Sequence, residues 1–221
     1  MVDKVADQNK TTTITIPRRF PPGEIVAFDV DEETYMRDYA ESFYEWVEGV
    51  VIEMSPVSSK HDDLTRYLDR LLSAYLESTG KGILKAAPFV MKLETRREPD
   101  LQIILNENRA KLTETFTNGA ADIAIEIVSP GSVTTDYGEK FKEYEAGGVR
   151  EYWIIDPTRK TTTFYRLNGN GTYHAVALSA DFHYTTTLLP KFKLYTPTLW
   201  QDELPDIITV VQSIQDMLKD D

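Results

Sequence analysis

Four polar side chains stand where apolar residues are expected, and their types suit one chemistry. Glu126 sits inside "ADIAIEIVSP", residues 121–130, among Ile123, Ala124, Ile125, Ile127 and Val128. Asp100 follows Pro99 at the head of the apolar run "PDLQIIL", residues 99–105. Lys140 lies beside the aromatic stripe Tyr137, Phe141 and Tyr144. His61 precedes Leu64 and Leu68 by three and seven positions, on the core-facing side of a helix. An ionised carboxylate in an apolar interior costs several kcal/mol unless something pairs with it. On neighbouring strands the two carboxylates could point to one spot, where they would repel unless a proton or a cation lay between them. A hard divalent ion, Mg²⁺ or Mn²⁺, takes two such carboxylates, a backbone carbonyl such as that of Ile127, and waters. It acidifies its water and neutralises charge on a phosphate. Lys140 would then hold or help deprotonate the attacking water and stabilise charge developing at phosphorus. The same residues also fit a structural ion pair between Lys140 and Asp100 or Glu126, or an i,i+4 pair of Lys140 with Asp136. His61 equally fits a structural histidine that bonds a carbonyl. Spacing alone does not choose between these.

The elements that must position these residues follow from periodicity and punctuation. Residues 1–13 read as a flexible tail, and 14–221 as one α/β domain. Residues 31–40 suit a short acidic helix, and "FYEWVEGVVIEMSP" (43–56) two strands turning at Glu48-Gly49. Ser58 or Ser59 caps a helix, Ser59 with Asp62 in a capping-box pattern; Leu64, Leu68, Leu71, Leu72, Tyr75 and Leu76 form its stripe, and Gly80 and Gly82 end it. Strands are expected over 83–93, with an irregularity at Pro88, over 99–105 and over 122–128, with a polar connection at 106–120. Thr135 or Asp136 caps the helix that carries Lys140, and Gly147-Gly148 close it. Strand 151–156, a hairpin over 161–178 and an extended stretch at 184–195 follow, then an amphipathic helix at 205–220. The predicted architecture is a mixed central sheet with helices on both faces, an added N-terminal hairpin and a C-terminal helix.

Composition narrows the function. The 221 residues hold no cysteine, which excludes a disulfide scaffold, a cysteine-ligated zinc and a cysteine nucleophile, and fits a reducing cytoplasm. No run of about 18 apolar residues is present, so no membrane helix is expected, and Met1 to Lys10 lacks a signal-peptide core. A net charge of −12 is the opposite of a broad nucleic-acid footprint, so DNA would have to be met by a local basic patch or a metal. "RRF" (18–20) and "ETRRE" (94–98) read as solvated charge pairs. Ser129 shapes a turn rather than attacking, since no Gly-x-Ser-x-Gly elbow surrounds it.

The set Pro99-Asp100, Glu126 with Ser129-Pro130, Asp136…Lys140…Tyr144, and Gly148-Val149 before Tyr152-Trp153 resembles the Uma-two family of bacterial endonucleases, in the PD-(D/E)XK superfamily. The resemblance starts at "YEWVEGVVIEMSPVSSKHDDL", runs through "TTTFYRL" and covers roughly residues 24–180. It implies a restriction-endonuclease-like core and Mg²⁺-dependent hydrolysis of phosphodiesters. Asp100 and Glu126 match the metal-binding acids of the superfamily. The lysine that usually follows the second acid by two residues is here Val128. The family pattern supplies Lys140 from the next helix instead. His61 matches the histidine after the Ser-Pro turn, and Glu45 and Glu53 match acids of the preceding hairpin that could complete a second metal shell. Tyr144 reads as core packing. The resemblance also implies a homodimer on DNA, for which the 161–178 hairpin and the terminal helix offer apolar surface. Two other functions stay open, a nuclease fold that no longer cuts and serves as an interaction module, and a hydrolase of a small phosphodiester.

Overall fold

A computed structural model describes residues 23–54 and 58–219. The tail at 1–13, the "RRF" run and the Ser-Pro turn at 55–56 lie outside them. Two six-stranded sheets and a two-stranded ribbon make up the β structure among the described residues.

The first sheet has the order β1-β3-β2-β6-β5-β8, from Gly23–Ala27 (β1), Tyr44–Val47 (β2), Val50–Met54 (β3), Val90–Lys92 (β5), Arg96–Arg97 (β6) and Phe116–Asn118 (β8). The β2–β3 turn sits at Glu48 and Gly49, both at positive φ, as a tight hairpin demands. The expected N-terminal hairpin is therefore the middle of a larger sheet, against which helix Glu32–Asp38 (α1) packs through Tyr35.

The second sheet has the order β12-β11-β10-β9-β7-β4, from Gly82–Ala86 (β4), Leu101–Leu105 (β7), Ile123–Ile127 (β9), Glu151–Asp156 (β10), Thr161–Leu167 (β11) and Tyr173–Val176 (β12). It is mixed, with β9 parallel to β10 and antiparallel to β7. Every residue of β7, β9 and β10 is buried. The two faces differ. Ile123, Ile125, Ile127, Trp153 and Ile155 pack under helix Ser59–Thr79 (α2) through Leu64, Leu68, Leu71 and Leu72. Ala124, Tyr152 and Ile154 face Tyr144 of helix Lys140–Gly147 (α3). Each large apolar side chain so buried contributes about 1.5–3 kcal/mol. Side chains alternate along a strand, so Glu126 shares its face with Ala124 and looks toward α3.

Two expectations change, the single strand at 83–93 and the cap at Thr135 or Asp136, and others are narrowed. The run 83–93 is two strands in different sheets, because Pro88 offers no N–H to a ladder and the chain crosses between sheets there. Ser58 alone caps α2, its hydroxyl accepting from the His61 N–H at 3.3 Å. Thr135 and Asp136 cap nothing. They lie in a π-helical turn, Thr135–Glu139, inside a helix that starts earlier. The extended stretch at 184–195 is the ribbon His183–Thr185 (β13) and Lys193–Tyr195 (β14), and the chain continues into helix Ile207–Lys219 (α4). No helix among the described residues is long and apolar enough to cross a membrane.

Candidate active site

Strand pairing brings Asp100 and Glu126 together. The antiparallel register sets Leu101 opposite Ile125, which leaves Asp100, the residue before Leu101, and Glu126, the residue after Ile125, at the same end of the strand pair. Asp100 Oδ2 accepts from the Ile127 N–H at 2.7 Å, so this carboxylate ties the end of β7 to the end of β9. The His61 ring closes on the same oxygen, Nε2 to Oδ2 at 3.2 Å. Burial disfavours charge on His61, yet Asp100, Asp136 and the Ile127 backbone outweigh it and raise its pKa. The first turn of α2 thus delivers the histidine to the sheet edge where β9 ends.

Lys140 reaches the same place from α3. Its Nζ lies 3.0 Å from Glu126 Oε2, 3.4 Å from Asp136 Oδ1 and 3.6 Å from Glu45 Oε1. The π-helical turn just before it is a common device for turning several side chains into a site. Tyr144, one turn later, donates its hydroxyl to Glu126 Oε1 at 2.7 Å while its ring packs on Tyr152. Tyr144 is therefore core packing and a site hydrogen bond at once.

One lysine serves three carboxylates. Burial raises the pKa of Glu126 to about 8, Lys140 opposing and Asp136 and Asp100 adding to the rise. Burial likewise raises that of Asp136, whose Oδ1 is buried without a hydrogen bond although Ser132 donates to Oδ2 at 2.5 Å. Burial also works against charge on Lys140, but Glu126, Glu45 and Asp136 together hold its pKa well above that of an ordinary lysine. Both partners of the Lys140–Glu126 pair move upward because the cation is shared and the acids repel one another.

Sequence reasoning missed the support behind the lysine. "ETRRE" is not solvated: Arg96, Arg97 and Glu98 are all buried. Arg97 is 0% exposed and donates to Glu45 at 2.8 Å and to both oxygens of Glu143 at 2.7 Å. Burial opposes charge on Glu45, but Lys140 and Arg97 keep its pKa below the usual value. Glu45 thus belongs to the site, whereas Glu53 is exposed on β3. Asp136 could have been found from its i,i+4 spacing to Lys140; nothing local marks Arg97. Among the described residues no three His, Asp or Glu side chains gather closely enough to cage an ion by themselves.

The family model described as "Uma2: Putative restriction endonuclease" matches residues 31–196. The crystal structure of a putative nuclease belonging to DUF820 from Anabaena variabilis has a TM-score of 0.62 to this chain at 16% identity, over 71% of this chain and 89% of that one. No curated protein matches. The fold shared with that structure is the restriction-endonuclease-like α/β core.

Proposed function

This chain belongs to the Uma2 family of putative restriction endonucleases, and from that membership we propose a metal-dependent endonuclease that hydrolyses DNA phosphodiester bonds. The observation that carries the proposal is the convergence of Asp100, Glu126, Asp136 and Lys140 at the end of β9. A hard divalent cation fits these residues. Their donors are carboxylate oxygens, one lysine is shared among more acids than it can balance, so that burial and mutual repulsion hold Glu126 protonated to about pH 8, and Asp136 Oδ1 lacks a hydrogen bond. Asp100 and Glu126, with the Ile127 carbonyl and waters, would hold Mg²⁺ or Mn²⁺. The ion would lower the pKa of a bound water and offset phosphate charge.

The chain's own groups do the rest. Lys140, with its raised pKa, stays protonated at neutral pH, so it stabilises negative charge on the phosphate rather than taking a proton. His61 orients Asp100. Tyr144 and Glu45 position Glu126 and Lys140. A homodimer is the proposed assembly, supported by Ile207, Ile208 and Val211, which α4 leaves exposed. The net charge of −12 supports a second reading, hydrolysis of a small phosphodiester or service as a non-cutting module, because a long polyanion is repelled outside the site.

Calorimetric titration of Mg²⁺ and Mn²⁺ into wild type and Glu126→Gln tests the metal, with cleavage of plasmid and single strands measured alongside. Wild type should bind and cut, and Glu126→Gln should lose binding and about 10²–10³-fold of its rate. Absence of both binding and cutting in wild type would leave the non-cutting module.

A further inference from the structure

The geometry points to the turn Pro157–Lys160 as a phosphate-backbone contact for nucleic acid, with Arg159 and Lys160 as its cations. This rests on the nucleic-acid reading above and names where an acidic protein could meet its substrate.

Position comes first. β9 and β10 run parallel with Ile127 beside Ile155, so the turn after Asp156 leaves the sheet at the edge where Glu126 and Ile127 end β9. The guanidinium of Arg159 lies 5.9 Å from the ring centre of Tyr137, the residue after Asp136.

Preorganisation comes second. Asp156 is 1% exposed, yet its carboxylate holds an exposed arginine. Oδ1 accepts from the Arg159 backbone N–H at 2.9 Å and Oδ2 from Nη1 at 2.9 Å. Surface arginines ordinarily swing free, and ordering one costs side-chain entropy. Here that cost is met in the free protein. The carboxylate takes one of the five guanidinium donors, which leaves a fork that can face a phosphate.

Lys160 adds the uncompensated charge. It is exposed, and no acidic side chain among the described residues forms an ion pair with it. Its φ of +51° is a conformation that glycine or asparagine adopts more readily, so a lysine is held there against local preference. The basic groove along α2 differs: Lys60, Arg66 and Arg70 are balanced there by Asp63, Asp202 and Glu203.

Fluorescence anisotropy with a labelled duplex oligonucleotide, titrated in salt from about 50 to 200 mM, tests this without requiring cleavage. Each lost phosphate contact lowers the slope of log K against log salt by about 0.9. Arg159→Ala/Lys160→Ala should therefore lower it by about 1.8 and weaken binding at the lowest salt by about tenfold or more. Lys160→Ala alone, which removes no ion pair among the described residues and leaves Asp156 its arginine, should lower it by about 0.9. Unchanged slopes in both variants would overturn the inference while leaving the nuclease reading intact. Wild type that cuts a small diester but binds no oligonucleotide at low salt would also overturn it. A slope that falls in the variants of a protein that cuts nothing would uphold the contact and remove the catalytic reading instead.

Discussion

Glu98 holds its carboxyl in the interior with neither oxygen in a hydrogen bond. Burial, with repulsion from Glu45, raises its pKa to about 9, Lys140 opposing. The sign of the consequence is definite. The unfolded chain loses this proton near the ordinary glutamate value of 4.5, whereas the folded chain keeps it until about 9. Between those values the native state binds the extra proton, so this contribution to stability is complete below the unfolded pKa and is lost as pH rises. The slope is at most about 1.4 kcal/mol for each pH unit. Glu98→Gln removes that dependence. Its melting temperature should gain on wild type steadily from about pH 5 to pH 9, and parallel curves for the two proteins would contradict a buried neutral carboxyl. The neighbouring Arg97 shows why such residues resist prediction. Its charge is visible in the sequence, but its partner Glu45 lies 52 positions away.

Strands and helices are placed by packing as much as by pattern. β4 lies against β7 so closely that a Cβ on Gly82 would stand 2.6 Å from the Ile104 carbonyl oxygen and 3.0 Å from the Leu105 Cα. Those are backbone atoms of a buried strand, and they cannot swing aside. Gly82→Ala should cost about 1–3 kcal/mol, seen as a lower urea midpoint at unchanged slope. The long periodic elements were legible: α2 from its leucine stripe, β9 and β10 from short, mostly apolar runs, the β2–β3 hairpin from Glu48-Gly49. What was not legible is which sheet a strand joins. Residues 90–92 and 82–86 look alike in sequence, yet they pair in different sheets. Strand partners are chosen by contacts far along the chain, which local propensity does not encode.

At the scale of the molecule, Arg97 is the joint. It belongs to β6 in the first sheet and holds Glu143 on α3, which packs on the second. Removing one partner of a buried ion pair leaves charge unpaired at a cost of about 3–5 kcal/mol. Arg97→Met should show a loss of that size in chemical denaturation, and Arg97→Met/Glu45→Gln should recover part of it, because fewer buried charges are then left alone. The proposed homodimer has a simple check. Ile208 is 68% exposed on α4, and Ile208→Glu should turn a dimer into a monomer in sedimentation, with α4 still folded because Val210 and Ile214 supply its buried contacts. A wild-type monomer at micromolar concentration would remove the dimer.

The amino-acid sequence by itself determined the fold class and the four residues that do not belong in an apolar interior. Asp100, Glu126, Lys140 and His61 are conspicuous because hydrophobic periodicity is local and a charge that interrupts it stands out. Only the tertiary structure decided what surrounds them. It put Asp136 and Glu45 at the ammonium of Lys140, buried an arginine pair that reads as solvent-exposed, and left Glu53 on the surface. The cost of a buried charge depends on its distance to the opposite charge. That distance is set by packing between segments remote in sequence.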